Sequence, residues 1–258
     1  MDNILTAFSS DVGNVKSINE DSLLIKTAEY EDIQIGLLCI CDGVGGLSRG
    51  EYASKYVVEK FSKWFDNSLP KILGARNWKK IIREQCVLIL ENANNELAAY
   101  GRRNGVRTGT TCSTLLIVGK EYFLIHIGDT RVYEISDELV QITNDHTLLA
   151  RDVAMGRVDP SVKENGKGGN VLFQCIGVSE DIDPQYFEGE VNVNATYMLC
   201  SDGFRHKIEP HELVQGFNAS VLTDEIQMEK QCKKYVELNK LRQEKDNISV
   251  IIARYEEE

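Results

Sequence analysis

The chain has 258 residues, enough for one large domain with its own core or for two small ones. Its 42% hydrophobic and 27% charged residues are ordinary for a globular protein, and 40 acidic against 29 basic side chains give a net charge of −11, which argues against a binder of nucleic-acid phosphates. The seven cysteines lie mostly inside apolar runs and include no Cys-x-x-Cys, so they read as buried reduced thiols rather than a zinc ribbon or a thioredoxin-type pair.

In chain order, Ile4 to Ser10 reads as a first strand closed by Asp11-Val12-Gly13, and Ser22 to Lys26 as a second. Between them stand Lys16, Glu20 and Asp21. The apolar run Ile35 to Cys41 is a buried strand that ends on Asp42 and is followed by Gly43, Val44, Gly45 and Gly46. Ser48 and Glu51 have the spacing of a capping box for a helix from Ser48 to about Asn67, with Ala53, Val57, Phe61 and Trp64 on one face. Trp78, Ile82, Cys86, Ile89, Ala93, Leu97 and Tyr100 mark a second amphipathic helix, separated from the first at Gly74 and ended at Gly101 to Gly105.

From Thr110 the period changes. Thr110 to Val118, Tyr122 to Ile127 and Val132 to Ile135 read as an antiparallel meander, with Asp129 at a turn, and Asn144-Asp145-His146 opens a helix carrying Leu148, Leu149 and Val153. Gly156 to Gly169 reads as a surface loop, a potential flap. Val171 to Ile176 and Ala195 to Cys200 are expected strands, and the second ends in Ser201-Asp202-Gly203, echoing Cys41-Asp42-Gly43. Residues 211 to 240 are helical in tendency. Asp246-Asn247 precedes a last buried strand, Ile248 to Ala253, and a frayed tail from Glu256. With no repeat or linker, one domain over 1–258 is the economical reading. No secretory signal precedes Met1-Asp2-Asn3 and no apolar run approaches the roughly 20 residues of a membrane span, so the expected location is the cytoplasm.

The acids at strand ends carry the chemistry. A carboxylate closing a buried strand costs about several kcal/mol to desolvate unless it is paired or bound to a cation. Glu20, Asp21, Asp42, Asp129, Asp202 and Asp246 all stand at such positions, although Asp42 and its glycines would also serve as a plain strand-to-helix loop. If they converge, an all-oxygen donor set suits Mg²⁺ or Mn²⁺, and the four histidines show no zinc-ligand spacing. Two such ions assist in-line phosphoryl displacement. No Gly-x-Ser-x-Gly, Cys-x5-Arg or Walker A sequence offers another scheme. Residue by residue, the reading stops at a metal-dependent hydrolase of phosphate esters.

The motifs, taken together, resemble a known family. Asp11-Val12-Gly13, Asn19-Glu20-Asp21, Cys41 to Gly46, Gly109-Thr110-Thr111, Gly128-Asp129-Thr130-Arg131, Asp145-His146-Thr147, Cys200-Ser201-Asp202-Gly203 and Asp246-Asn247-Ile248 follow the order of the bacterial type 2C (PPM) metal-dependent serine/threonine protein phosphatases. The resemblance implies an α+β fold, a four-layer α-β-β-α sandwich of two antiparallel sheets flanked by helices, with metals at one end. It implies hydrolysis of phosphoserine and phosphothreonine in proteins by a hydroxide bridging two Mn²⁺ or Mg²⁺, without a covalent intermediate. Asp42 would bridge both ions, Gly43 would offer its carbonyl, Asp202 and Asp246 would complete one ion, and Glu20 and Asp21 would serve the other. The flap would follow Asp145-His146-Thr147, in agreement with the loop at 156–169.

The chain departs from that pattern in three places. Lys16 stands where the family has a phosphate-gripping Arg, and a point charge orients phosphate less well than a bidentate fork. Asp129 is present for a third metal, but its partner position is His206, which argues against a third ion and leaves His206 as a ligand or proton shuttle. Val44 occupies a position where animal members carry a His. The implied partners are phosphoproteins of a Ser/Thr kinase, with no nucleic acid, no membrane and a monomeric chain. The alternatives are a pseudophosphatase serving as a phosphoprotein-binding regulator, and a metal nuclease or small-molecule phosphatase.

Overall fold

The computed structural model describes residues 2–44, 47–159 and 171–257. Its elements in chain order are β1 (Asn3–Asp11), β2 (Ser22–Tyr30), β3 (Ile33–Cys41), α1 (Gly50–Asn67), α2 (Leu69–Leu73), α3 (Trp78–Asn104), β4 (Cys112–Val118), β5 (Glu121–Ile127), β6 (Arg131–Ile135), β7 (Leu139–Gln141), α4 (Leu148–Ala154), β8 (Gln185–Glu190), β9 (Thr196–Cys200), α5 (Asp202–Arg205), α6 (Pro210–Phe217), α7 (Glu225–Leu241) and β10 (Ile248–Glu256). They build two five-stranded sheets, ordered β1-β10-β9-β6-β7 and β2-β3-β4-β5-β8. Every pairing is antiparallel.

The side-chain period of a strand explains the layers. On β3, Leu38 and Ile40 meet Leu115, Ile117, Leu199 and Ile251 in the space between the sheets. Leu37, Cys39 and Cys41 point the other way, under Phe61, Ile82, Leu90 and Leu97 of α1 and α3. The first sheet is covered likewise, with Met198, Cys200, Val250 and Ile252 packed against Phe204, Phe217, Met228 and Cys232. Strands buried on both faces read as continuous apolar runs, hence the unbroken hydrophobicity of β3, β4 and β10. The α-β-β-α sandwich is the fold that the motifs implied. Among the described residues, no helix is long and apolar enough to cross a membrane.

Several local expectations need correction. Ser48 does not cap α1: the N-cap is Arg49, left-handed at φ 61°, with no side-chain cap bond. The Ser48 amide instead donates to the Arg107 carbonyl at 2.9 Å, so tertiary bonds replace the local cap. The meander breaks after β5, because β6 pairs with β9 in the opposite sheet. The crossing is made at Gly128, whose φ of +110° lies in glycine's territory and where a Cβ would come within 2.5 Å of Thr111. Val171 to Ile176 is not a strand. Leu172 and Ile176 make isolated bridges to Thr147 and Thr110, so the segment stitches two neighbours instead of extending along one. Glu256 is not frayed but closes β10, opposite Asn3. Of the loop expected at 156–169, residues 160–169 lie outside the described residues.

Candidate metal centre

The strand ends bring acids to one side of the sandwich. Asp42 leaves β3, Asp202 leaves β9, Asp246 precedes β10, Asp129 sits between β5 and β6, and Glu20 and Asp21 precede β2. A cavity of about 180 Å³ is lined by Asp42, Val44, Thr111, Asp129, Leu172, Asp202 and Asp246. A wider hollow of about 620 Å³ lies along α4, but its Asp145 is already matched by Arg131, with Nη2 and Oδ2 2.6 Å apart.

Backbone contacts fix each acid. The Asp42 amide donates to Thr111 Oγ1 at 3.0 Å, and the Asp42 carbonyl accepts from the Thr111 amide and from Thr110 Oγ1, both at 2.9 Å. Gly43 must be glycine, because a Cβ there would lie 2.6 Å from the Gly50 carbonyl carbon. That close approach sets the start of α1 against the Asp42 turn. Asn247 secures the loop before β2: its Oδ1 accepts from the Glu20 amide at 2.9 Å, and its Nδ2 donates to the carbonyls of Val12 and Ile18 at 2.9 and 3.1 Å. The Ser54 hydroxyl on α1 donates to the Glu20 carbonyl at 2.6 Å.

The electrostatics are those of crowded like charges. Burial pushes the Asp42 carboxyl well above the usual range, and Asp21, Asp202, Asp129 and Asp246 add to the shift. Burial, then Asp202 and Asp246, raise Asp21 to about 7, although the Ser249 and Ser201 hydroxyls are near enough to oppose it. Burial and Asp202 raise Asp129 to about 7 against the pull of Arg205. Asp202 is also raised, by burial and Asp246, with His206 and Arg205 opposing. Burial raises Glu20 against Lys16.

Both buried oxygens of Asp21 lack a hydrogen bond of good geometry, which leaves them open to a cation. All the donors are oxygens, so hard divalent ions fit. Among the described residues, the only group of three or more His, Cys, Asp or Glu whose ligand atoms all lie within 4.8 Å of one another consists of three thiols. Four of the six acids, Asp42, Asp129, Asp202 and Asp246, therefore line a shared cavity without closing on one point, which suits ions that keep several waters. Glu20 and Asp21 are not among its lining residues.

A family profile for protein phosphatase 2C matches residues 14–240. The chain belongs to the protein phosphatase 2C family. Within it, the chain is 27% identical over 248 residues to the serine/threonine protein phosphatase PstP of Mycobacterium tuberculosis, covering 96% of this chain and 44% of that protein. The chain thus spans less than half the length of that relative. Its fold matches the crystal structure of serine/threonine phosphatase Stp1 from Staphylococcus aureus with a TM-score of 0.84 and 25% identity, covering 98% of this chain and 95% of that one. It also matches the catalytic domain of PstP in complex with 2 manganese ions, with a TM-score of 0.76 and 25% identity over 100% of both chains.

Two of the three residues that depart from the 2C pattern, Lys16 and His206, are engaged with acids. Lys16 Nζ lies 2.9 Å from Asp246 Oδ1 and 3.7 Å from Glu20 Oε2. Burial would lower its pKa, but Asp246, Glu20 and Asp42 outweigh that and hold the ammonium charged. His206 lies between two acids, with Nε2 3.6 Å from Asp202 Oδ2 and Nδ1 3.9 Å from Glu244 Oε2. Burial again acts to lower its pKa, and Glu244 and Asp202 raise it on balance. Glu244 and Ser54 carried no sequence signal of these contacts. The adjacency of Asn247 to Asp246, and of Thr110 and Thr111 to β4, hinted at theirs.

Proposed function

We propose that this chain is a protein-serine/threonine phosphatase domain spanning 1–258, hydrolysing phosphoserine and phosphothreonine in proteins with two Mn²⁺ or Mg²⁺. The observation that carries the reading is the gathering of Asp42, Asp202, Asp246 and Asp129 on one cavity with burial and mutual repulsion raising three of them. Such a set is unstable as free carboxylates and is relieved by divalent charge. Asp42 would face both ions, with the Gly43 carbonyl, Asp202 and Asp246 completing one and Glu20 and Asp21 serving the other. When bound, the ions would supply an activated water nucleophile and neutralise charge developing on the phosphoryl oxygens, without a covalent intermediate.

The remaining work falls to the chain itself. Thr110, Thr111 and Asn247 hold the ligand loops in place before any ion arrives, so little reorganisation accompanies binding. Lys16 neutralises Asp246 and Glu20, and on substrate entry its ammonium is the nearby point charge for a phosphate oxygen. His206 steadies Asp202 from the side opposite Glu244, so we assign it to positioning and place no third ion between it and Asp129. The proposed setting is a cytoplasmic monomer acting on phosphoproteins made by a Ser/Thr kinase, with neither nucleic acid nor membrane as partner.

The test is hydrolysis of an aryl phosphate and of phosphopeptides by the folded chain with Mn²⁺, repeated with EDTA. Metal-dependent turnover of both is expected. No turnover on either substrate would sink this reading and favour the second one, a phosphoprotein-binding pseudophosphatase. That second reading has one observation behind it, namely that Lys16 is held by Asp246 and Glu20 where the family presents a phosphate-gripping Arg.

A further inference from the structure

Among the described residues, the one cluster of three or more metal-ligating side chains lies outside the acidic cavity, under α1 and α3. Cys39 and Cys41 stand two residues apart on β3 and so share a face. Cys112 opens β4 one step beyond the Ile40–Ser113 pair, which puts it across from Cys41. Cys39 Sγ lies 3.8 Å from Cys41 Sγ and 3.9 Å from Cys112 Sγ, and all three residues are 0% exposed. Two sulfurs sharing one ion through bonds of about 2.3 Å stand ~3.8 Å apart around a tetrahedral ion and a few tenths of an ångström closer around a pyramidal one. All three sulfurs here lie within 4.8 Å of one another, so common ligation needs only a small inward shift. The Thr114 hydroxyl lies 3.1 Å from Cys39 Sγ and 3.3 Å from Cys112 Sγ, beside the edge of the triangle that those two sulfurs form.

Charge selects among the soft ions. Three thiolates around Cu⁺ carry two net negative charges, around Zn²⁺ or Cd²⁺ one, and around a trivalent ion none. The pocket belongs to a core cluster of Leu37, Ala53, Val57, Leu90, Ala93 and Leu97, in which an uncompensated charge is costly. A neutral complex avoids that cost. Thiolate softness excludes the hard trivalent ions and leaves arsenic(III) and its heavier congeners.

We propose that Cys39, Cys41 and Cys112 form a binding site for a trivalent thiophilic ion of the arsenic(III) type, held by three thiolate bonds beneath the helical layer. Binding is a condensation without redox change. Arsenous acid loses three As–O bonds, the thiols lose three S–H bonds, three As–S bonds form, and the protons and oxygens leave as three waters. Entry requires β3 and β4 to part from α1 and α3, so uptake by the folded chain is slow and uptake during refolding is fast. The site lies directly behind the acidic cavity: Cys41 precedes Asp42, and Cys112 follows Thr111, whose amide donates to the Asp42 carbonyl at 2.9 Å.

The experiment treats the whole chain, reduced with a phosphine, with sodium arsenite, both folded and during refolding, and measures arsenic retained after desalting together with its X-ray absorption. One arsenic per chain with three As–S bonds is expected. Retention should fall at least tenfold in Cys39→Ser, Cys41→Ser and Cys112→Ser, with alanine versions where a hydroxyl is not accommodated, and persist in Cys86→Ser. No retention after refolding in arsenite overturns the proposal, as do two As–S bonds in the wild type or equal retention by the variants. Preferential uptake of Zn²⁺ when both ions are supplied also overturns it, since the charge argument would then be wrong. The absorption measurement on the wild type decides even if every variant fails to fold.

Discussion

At the scale of single residues, Asp42 and Lys16 carry opposite roles in one electrostatic balance. The Asp42 carboxyl is disfavoured as an anion by burial and by four neighbouring acids. Asp42→Asn removes one of those charges, so the metal-free variant should melt at the same temperature as the wild type or higher. Its Mn²⁺-dependent aryl phosphatase rate should fall by more than the roughly 10–100-fold typical of losing a metal ligand's outer partner. Near wild-type turnover would show that Asp42 is not the shared ligand. Lys16 is the converse case, a built-in cation set on Asp246 and Glu20. Lys16→Met should lower the metal-free melting temperature and enlarge the increase produced by Mn²⁺, because the ion no longer enters beside a fixed positive charge. A calorimetric scan with and without Mn²⁺ checks both signs, and an unchanged Mn²⁺ increment would remove Lys16 from the balance.

Among elements, the site depends on loops being tied to strands. Asn247, one residue before β10, makes three hydrogen bonds to the loop between β1 and β2. Asn247→Ala leaves the partly buried Glu20 amide and Val12 and Ile18 carbonyls without this partner, and each such orphan costs up to about 1–3 kcal/mol. The variant should lose several kcal/mol in chemical denaturation and bind Mn²⁺ more weakly. A loss below about 1 kcal/mol would show that water satisfies those groups. On β5, facing β4, His126 is fully buried. Its Nδ1 lies 2.8 Å from Ser113 Oγ and its Nε2 3.0 Å from the Gly128 carbonyl, which assigns the proton to Nε2 and leaves Nδ1 accepting from the serine hydroxyl. Burial, together with neighbouring His146, lowers its pKa to about 3. The unfolded chain protonates this imidazole near pH 6.5 and the folded chain near 3, so the unfolded state binds more protons between those values. Stability from this group is therefore complete above about 6.5 and falls on acidification, by up to about 1.4 kcal/mol per pH unit. His126→Gln should flatten that part of the stability–pH curve; parallel curves would refute the assignment.

For the molecule as a whole, divalent ions and folding should be linked. The cavity's acids sit at the ends of β3 and β9, before β10 and between β5 and β6, so both sheets contribute to the cavity. An ion bound there favours the assembled sandwich and leaves the unfolded chain unaffected. Each site filled at a hundred times its dissociation constant should add about 2.7 kcal/mol to unfolding, and EDTA should remove the gain. Equal melting temperatures in Mn²⁺ and EDTA would show that the cavity takes no ion.

Sequence by itself determined most of the elements, because hydrophobic period is a local property. The apolar runs of β3, β4, β9 and β10 and the stripe of α3 survive in the structure with shifts at their ends. It also identified the acids of the cavity, since Asp42-Gly43, Asp202-Gly203 and Asp246-Asn247 are short motifs standing in a recognisable order. Polar β8 and the three-residue β7 were not legible, because their strand character comes from β5 and β6 alongside them. The cap of α1 failed for the same reason: Ser48 bonds to Arg107, distant in sequence. Only the tertiary structure decided which residues meet across the sheets. It set Lys16 on Asp246, His206 between Asp202 and Glu244, and Cys112 beside Cys39. Those contacts arise from strand register and sheet packing, which fix distances between residues far apart in the chain and leave no trace in the local pattern around either one.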